Sequence, residues 1–295
     1  MAKFYVAVIT MFDERGNLDF EANRGVYEHL IAGGSDGMVV LGSTGEFFSM
    51  TMEQAKEAAK FAVETVKHRM QVFVGTSRMR PEESVELSNY ALEQGADGVM
   101  IISPYYFKLS DASIEAYYDA IVPKVKGKVY LYNFPGCTGY DLKPEIALRL
   151  RRKYDNIAGY KDTVPDMGHT RRLIQMMTDE FPEFEVYSGF DEFFIHNLMS
   201  GGAGSIGGLP NLAPEVFARW ARDFEDGNFQ AVMETQKYVN RMMEFFEICS
   251  PFVTAVKYAM HKKGVIPSEY SYPPLVAASK EEQSRVDRLM KDLGM

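Results

Sequence analysis

The 295-residue chain has few of the residues that mark disulfide-stabilised, metal-binding or nucleic-acid-binding proteins. It contains two cysteines, Cys137 and Cys249, and no CxxC motif, so we expect neither a disulfide framework nor a zinc site. Its five histidines lack HExxH spacing, and packing or surface positions explain them most simply. The formal net charge of -9 disfavours nucleic acids and anionic membranes as partners.

Long apolar runs are also missing. No run approaches the ~20 residues that a membrane-spanning helix needs. The N-terminal sequence MAKFYVAVITMF lacks the apolar region and small-residue cleavage site of a secretory leader. We therefore expect a protein of the reducing cytoplasm with no membrane partner.

Short β-rich runs alternate with amphipathic helical patterns along most of the chain. In the pattern over residues 51–69, small apolar residues recur at helical spacing, namely Ala55, Ala58, Ala59, Ala62 and Val63. The β-rich runs are continuously apolar, which is typical of a parallel sheet buried on both faces. The predicted strands lie within residues 4–10, 37–43, 71–77, 98–106, 128–135, 157–163, 184–191 and 202–210.

Eight β-then-α units over about 225 residues predict a (β/α)8 barrel. A doubly wound parallel sheet is the alternative, but no GxGxxG motif follows the first strand and no change in composition marks a second domain. We expect residues 1–225 to form the barrel and residues 226–295 to form a C-terminal extension of two long helices and a short one. This extension could brace the barrel, line an entrance or carry a subunit interface.

The ends of the predicted strands carry the candidate chemistry, because barrel active sites lie at the C-terminal ends of strands. Strand two ends in Gly-Ser-Thr-Gly-Glu, residues 42–46, whose successive N–H groups could cradle a small carboxylate. An ordinary glycine-rich turn explains this stretch equally well. Strand five carries Tyr132, one strand before Lys161, so its phenol could reach a group attached to that lysine.

Lys161 lies at the end of the buried run IAGYKDT in strand six. Alternation predicts one shared face for Ile157, Gly159, Lys161 and Thr163, with Gly159 leaving room for the lysine stem. If that face points into the barrel, desolvation lowers the pKa of the amine, which can then attack a ketone and form a Schiff base. The alternative is a lysine that reaches solvent and pairs with Asp162.

Strands seven and eight end in motifs that have two interpretations each. After strand seven, Asp191 and Glu192 could hydrogen-bond a polyol or simply stabilise the first turn of the next helix. Strand eight is rich in glycine, which either lets a ligand approach the backbone or turns a barrel corner. Lys257, the other lysine with apolar neighbours, is interpreted as a packing or salt-bridge residue.

The motifs GSTGE, SPYY, YNFPGCTG, GYKDT, GFDE and GSIGG, in this order, resemble the dihydrodipicolinate synthase and N-acetylneuraminate lyase family of class I pyruvate aldolases. The resemblance implies a (β/α)8 barrel with a C-terminal helical extension, usually a homotetramer built as a dimer of dimers. It also implies no metal and no organic cofactor.

The resemblance assigns roles to individual residues. Lys161 would form the Schiff base with pyruvate or another 2-keto acid, and Tyr132 would shuttle protons. Ser43 and Thr44 would hold the substrate carboxylate, with Ser43 also relaying protons to Tyr132. Tyr106 would complete the relay from a neighbouring subunit. The remaining residues expected to bind substrate are Thr163, Gly189, Asp191, Glu192 and, through its backbone, Ile206.

The turn after strand five departs from the synthase branch of this family. That branch carries an arginine where this sequence has Cys137, and a thiol cannot act as a bidentate cation. Arg78, after strand three, is the other candidate for the missing charge. Gly208 stands where the lyase branch tends to have a serine.

We therefore expect an aldolase that cleaves a 2-keto-3-deoxy sugar acid, or N-acetylneuraminate, to pyruvate and a polyhydroxylated, sugar-derived aldehyde. Three alternatives stay open. They are a synthase that condenses pyruvate with aspartate semialdehyde, a hydratase or dehydratase that uses the same imine, and a non-catalytic barrel that binds a 2-keto acid.

Overall fold

Eight parallel strands close into one barrel in the computed structural model of the protein, which describes residues 2–295. Each strand pairs with its neighbours in sequence, and β1 pairs with β8 to close the barrel. The (β/α)8 prediction is confirmed, and the doubly wound alternative is wrong. The strands are β1 Lys3–Ala7, β2 Gly37–Val40, β3 Gln71–Gly75, β4 Gly98–Ile102, β5 Val129–Asn133, β6 Ile157–Asp162, β7 Glu185–Ser188 and β8 Gly204–Gly207.

Helices cover the outside of the barrel, and their ends follow the local sequence. Pro81 and Pro144 occupy the first position of their helices, where a missing N–H costs nothing. Thr51 and Gln54 form a reciprocal capping box. The helices of the barrel are α1 Phe20–Ala32, α2 Met52–Val66, α3 Pro81–Glu93, α4 Asp111–Ile121, α5 Pro135–Thr138, α6 Pro144–Lys153, α7 Met167–Thr178, α8 Phe194–Met199 and α9 Pro214–Glu225.

The C-terminal extension comprises α10 Phe229–Met242, α11 Phe245–Ile248, α12 Val253–Lys262 and α13 Lys280–Leu293. The prediction of two long helices and one short helix holds for α10 and α13 but not between them, where two separate helices form. Pro251 lies in that gap, and its missing N–H and fixed φ prevent a continuous helix. In residues 2–295, no helix is both long enough and apolar enough to cross a membrane.

The strands pack against two hydrophobic cores, one between the strands and the helices and one inside the barrel. At the N-terminal end of the interior, aromatic rings meet edge to face, with centroids 5.1 Å apart for Tyr5 and Phe73 and 4.9 Å apart for Phe73 and Tyr130. Tyr187 joins them 5.3 Å from Tyr5. The Tyr130 hydroxyl donates to Glu185 at 2.6 Å. These rings fill the interior of the barrel at its N-terminal end.

Strand β6 is irregular where it begins to pair with β5. Val129 pairs with Ile157 but Tyr130 pairs with Gly159, so the register shifts by one residue at Ala158. Ile157 consequently lies in the outer core, and the prediction that it shares a face with Lys161 is wrong. Gly159 does not make room for the lysine stem either. A Cβ there would lie 2.7 Å from the Tyr130 ring, which occupies that space.

Candidate active site

A cavity of about 210 Å³ opens at the C-terminal ends of the strands. The predicted Schiff-base lysine, its tyrosine and the predicted carboxylate-binding turn all line it. The cavity therefore brings together residues from β2, β5, β6, β7 and β8 that are distant in sequence. The predicted residues found in its wall are Ser43, Thr44, Tyr132, Lys161, Thr163, Gly189 and Ile206.

Lys161 is 5% exposed and points into the barrel, where its Nζ lies 4.4 Å from the centroid of the Tyr132 ring. The ring face attracts the ammonium and fixes the direction of the side chain. Asp162 faces outward and accepts hydrogen bonds from Asn133 and Thr170, at 3.0 and 2.7 Å. The alternative in which Lys161 reaches solvent and pairs with Asp162 is thus wrong.

Tyr132 is the register partner of Lys161 across the β5–β6 pair, so the two side chains leave the sheet side by side. The ring is 5% exposed and stacks on Phe134, with centroids 6.3 Å apart. Among residues 2–295, its hydroxyl has no hydrogen-bond partner. This hydroxyl is accordingly available to a molecule bound in the cavity.

The turn after β2 presents free donors to the cavity. Leu41 and Glu46 at its two ends both have left-handed φ values, of 59°. Inside the turn, the Gly45 amide donates to the Gly42 carbonyl at 3.0 Å and the Glu46 amide to the Ser43 carbonyl at 3.2 Å. The amides and hydroxyls of Ser43 and Thr44 have no acceptor within the described chain. Together they form a cradle suited to a small carboxylate.

Thr163, Gly189 and Ile206 complete the wall near Lys161. The hydroxyl of Thr163 is buried and unpartnered in the described residues, although its amide donates to the Asn133 carbonyl at 2.9 Å. A buried hydroxyl without a partner is costly, and a bound polar ligand would remove that cost. The position of Thr163 therefore agrees with the substrate-binding role predicted for it.

Asp191 and Glu192 do not line the cavity. The Asp191 carboxylate is fully buried behind β8 and accepts hydrogen bonds from the amides of Gly208 at 3.2 Å and Leu209 at 3.4 Å. It also fills the space beside Gly207, where an added Cβ would lie 1.8 Å from Asp191 Oδ1. Burial raises the pKa of Asp191 to about 7. Burial also raises the pKa of Glu192. Asp191 caps the turn after β8 instead of its own helix, and the predicted binding of substrate by Asp191 and Glu192 stays a prediction.

Tyr106 lies outside the cavity, on the loop after β4, with 79% of its surface exposed. Its ring lies edge to face with that of Phe107, which is 70% exposed, at a centroid distance of 4.9 Å. The predicted relay required Tyr106 to come from a neighbouring subunit. That role stays a prediction.

The sequence did not identify the aromatic wall opposite the lysine. Phe134 and Phe190 follow strands β5 and β7, whereas Phe246 and Phe252 come from the C-terminal extension. The rings of Phe246 and Phe252 lie 4.5 Å apart at 61°. Of the roles considered for the extension, lining the entrance is therefore confirmed. No local pattern in the sequence marks Phe246 and Phe252 as residues of the cavity.

Comparison with protein families matches residues 1–293 to the dihydrodipicolinate synthetase family. The chain belongs to this family. It is 35% identical over 288 residues to the probable 2-dehydro-3-deoxy-D-pentonate aldolase YjhH of Escherichia coli K12, covering 98% of this chain and 96% of that one. It is also 35% identical to the 4-hydroxy-tetrahydrodipicolinate synthase of Kosmotoga olearia, covering 98% and 97%.

Among solved structures, the crystal structure of YagE from Escherichia coli K12 in complex with pyruvate superposes with a TM-score of 0.96 at 32% identity. The match covers 100% of this chain and 99% of that one. YagE is named as a putative 2-dehydro-3-deoxy-D-gluconate aldolase. With the family established and aldolases among its relatives, the protein is a lyase, and a class I pyruvate aldolase is the activity that the family supports.

The cation expected in the synthase branch of the family is absent from this cavity. Cys137 lies in α5 at the rim, where burial raises the pKa of its thiol and nearby Lys161 opposes that shift. Arg78 is held elsewhere, because its guanidinium donates to the carbonyls of Met50 at 3.0 Å and Thr51 at 3.3 Å. Among the described residues, Lys161 is the one cation in the cavity wall.

A buried ion pair lies behind the carboxylate-binding turn. Lys257 Nζ contacts Glu46 Oε1, and both side chains are fully buried. Burial raises the pKa of Glu46 and lowers the pKa of Lys257, and in each case the opposite charge resists the shift. The interpretation of Lys257 as a salt-bridge residue is confirmed.

A second polar network lies outside the barrel, behind Tyr132 and Lys161. His169 Nδ1 is 2.9 Å from Asp162 and its Nε2 is 3.2 Å from Asp141, while Asn133 donates to both carboxylates. Burial alone would lower the pKa of His169, but the two carboxylates outweigh it and raise that pKa to about 10. Since Asn133 and Asp162 directly follow Tyr132 and Lys161, this network fixes the ends of β5 and β6.

Proposed function

We propose that this protein reversibly cleaves a 2-keto-3-deoxy sugar acid to pyruvate and an aldehyde, through a Schiff base on Lys161. The observation that supports this most strongly is the buried Lys161 amine, which lies over the Tyr132 ring in the same cavity as the free donors of Ser43 and Thr44. A nucleophile, a proton carrier and a carboxylate cradle are the parts that this reaction needs.

In the proposed mechanism, the substrate carboxylate binds the turn at Ser43 and Thr44, and its 2-keto carbon faces Lys161. The neutral amine attacks that carbon, and Tyr132 donates its proton to the departing hydroxyl, so that loss of water leaves a Tyr132 phenolate and a protonated imine that acts as an electron sink. Tyr132 accepts the proton of the 4-hydroxyl as the C3–C4 bond breaks, which releases the aldehyde and leaves an enamine. Protonation at C3 and addition of water then release pyruvate and regenerate the amine.

The wall that faces the aldehyde half limits the substrate. It is formed by Phe134, Phe190, Phe246 and Phe252, which offer an apolar surface for packing and few hydrogen-bond partners for hydroxyl groups. A short aldehyde half fits this wall better than a long polyhydroxylated one. Relatives named as pentonate and gluconate aldolases support substrates of this size. We therefore propose a five- or six-carbon sugar acid and not N-acetylneuraminate.

The synthase activity is the second candidate, because a relative at 35% identity is named as a 4-hydroxy-tetrahydrodipicolinate synthase. Aspartate semialdehyde carries a second carboxylate, which would meet an aromatic wall without a cation. Burying an unpaired charge there is costly. The wall therefore favours the neutral aldehyde of a sugar acid.

We also propose the homotetramer expected from the family resemblance, with Tyr106 reaching the active site of a neighbouring subunit. The exposed rings of Tyr106 and Phe107 support this assembly, since adjacent exposed aromatic residues are common at interfaces. Cys137 and Cys249 are both unpaired, which agrees with the reducing cytoplasm that we propose as its location.

The test is to incubate the protein with pyruvate and borohydride and then assay cleavage with a panel of 2-keto acids. We expect one reduced pyruvyl group on the peptide that carries Lys161, and pyruvate release from a 2-keto-3-deoxy pentonate or hexonate. Water loss without pyruvate release would assign a dehydratase, and efficient condensation with aspartate semialdehyde would assign the synthase. Label on another lysine would remove Lys161 from the mechanism, and no label at all would remove the Schiff-base mechanism and leave a binding protein.

A further inference from the structure

Glu46 is the last residue of the GSTGE motif, and the proposed chemistry does not use it. Its carboxylate is fully buried, with Oε1 in contact with Lys257 Nζ and Oε2 accepting the Tyr272 amide at 3.0 Å. Lys257 Nζ also donates to the Tyr270 carbonyl at 3.0 Å. Every partner of the Glu46 side chain therefore belongs to the C-terminal extension and not to the barrel.

The backbone of Glu46 explains why such an anchor is needed. Its φ of 59° lies in the left-handed region, which disfavours residues with a Cβ. The Glu46 amide closes the turn by donating to the Ser43 carbonyl at 3.2 Å. A disfavoured conformation persists only where surrounding contacts hold it. The contacts of the Glu46 side chain with Lys257 and Tyr272 supply that hold.

We propose that Glu46 and Lys257 are positioning residues, whose buried ion pair holds the turn at Ser43 and Thr44 in the conformation that binds the substrate carboxylate. The pair does not touch substrate and acts through the backbone of the turn. It also makes carboxylate binding depend on docking of the extension that carries Lys257. This inference rests on the proposed function, because it takes the turn as the carboxylate site.

The proposal has a specific consequence for ketone recognition. Pyruvate uses the turn through its carboxylate, whereas acetone offers Lys161 the same type of carbonyl carbon without a carboxylate. Loosening the turn should weaken imine formation with pyruvate and leave imine formation with acetone unchanged. General damage to the fold would lower both rates together, so the ratio of the two rates reports on the turn.

The experiment measures borohydride trapping at Lys161 with pyruvate and with acetone, each over a range of ketone concentrations. Two double variants share the neutral Lys257→Met change, so that no charge is left unpaired. In one, Glu46→Ala retains a Cβ at a left-handed position, and in the other, Glu46→Gly adopts that conformation without strain. Circular dichroism and thermal melting check that each variant folds.

We expect the pyruvate-to-acetone ratio to fall about tenfold in the alanine variant, which corresponds to about 1.4 kcal/mol. Both double variants lack the ion pair, but glycine adopts the left-handed φ at position 46 without strain. The glycine variant should therefore recover part of this loss. Two quantities are compared: the trapping rate at saturating pyruvate, and the pyruvate concentration that gives half of this maximal rate. We expect the half-saturating concentration to change more than the maximal rate. This split distinguishes positioning of the carboxylate from damage to the lysine.

Glu46→Gln combined with Lys257→Met keeps an acceptor oxygen for the Tyr272 amide and removes both charges of the pair, so this variant serves if the alanine variant does not fold. We expect about a threefold loss in the ratio. If wild-type protein traps pyruvate and the folded variants keep its ratio, the ion pair only stabilises the fold and the inference is wrong. If wild-type protein traps neither ketone, the proposed function fails first and the inference fails with it.

Discussion

The two sides of the cavity differ in composition and in origin. One side, here called the imine side, carries Ser43, Thr44, Tyr132, Lys161 and Thr163, all at the ends of barrel strands. The other, the aldehyde side, carries Phe134, Phe190, Phe246 and Phe252, from loops and from the C-terminal extension. In the proposed function, the barrel supplies the imine chemistry, whereas the aldehyde is selected by parts of the chain that can vary without changing the barrel.

The imine side should fail completely when its nucleophile is removed. Lys161→Met keeps the length of the side chain but has no amine, so neither imine trapping nor cleavage should be detectable. Mass spectrometry after borohydride reduction checks the adduct, and pyruvate release checks turnover. Lys143→Met is the matched control, because that amine pairs with Asp111 on the surface. An adduct that persists in Lys161→Met would place the Schiff base on another residue.

The proton carrier of the imine side should matter less than the nucleophile. Tyr132→Phe keeps the ring over Lys161 and removes the hydroxyl, and general acid–base help is worth roughly a hundred- to ten-thousand-fold. We expect kcat for cleavage to fall by about that factor while trapping with pyruvate survives. Tyr130→Phe, at the closed end of the barrel, is the control and should retain cleavage. Equal kcat in Tyr132→Phe and wild type would exclude the tyrosine from the mechanism.

The aldehyde side should change selectivity and leave the imine chemistry intact. Phe252→Ala enlarges the entrance, so the ratio of kcat/KM for a six-carbon over a five-carbon sugar acid should rise about tenfold, within the range for small changes in an apolar pocket. Trapping with pyruvate should be unaffected. Phe229→Ala removes a ring that is 59% exposed on α10 and controls for the loss of a phenylalanine. An unchanged ratio would show that the wall does not select the aldehyde.

The smallest effect concerns the network behind the imine side, and it should appear in stability. The folded-state pKa of His169 is raised to about 10, above its ordinary value of 6.5. Its contribution is therefore complete below pH 6.5 and is lost as the pH rises towards 10. His169→Gln should lower the free energy of unfolding by about 1–3 kcal/mol at pH 6 and by less at pH 10. Urea unfolding at both pH values measures this, and an equal loss at both would contradict a charged histidine.

The difference between the two sides also explains how much of the site the sequence predicts. The sequence predicts the residues at strand ends, because the C-terminal ends of all barrel strands surround the same site and the motifs lie at or just after these ends. These residues are Lys161, Tyr132, Ser43 and Thr44. Phe246 and Phe252 could not, since their position depends on how the extension docks on the barrel. No local pattern in the sequence encodes that docking.

The wrong predictions have local physical causes. Ile157 faces outward because the register of β6 shifts at Ala158, and alternation cannot reveal such a shift. Asp191 begins a short 3-10 helix, Asp191–Phe193, and its side chain does not cap that helix because it accepts the amides of Gly208 and Leu209.

The aromatic rings that fill the N-terminal end of the barrel close that end, and the cavity opens at the C-terminal ends of the strands. The imine side lies deep beside Lys161, and the aldehyde side lies at the mouth between Phe246 and Phe252. In the proposed reaction the imine forms at the deep end of the cavity, so the aldehyde leaves before pyruvate during cleavage, and pyruvate enters before the aldehyde during condensation. In the proposed reaction, the rings of Tyr5, Phe73, Tyr130 and Tyr187 therefore affect the order in which substrates bind and products leave. They do so without contacting any bond that is made or broken.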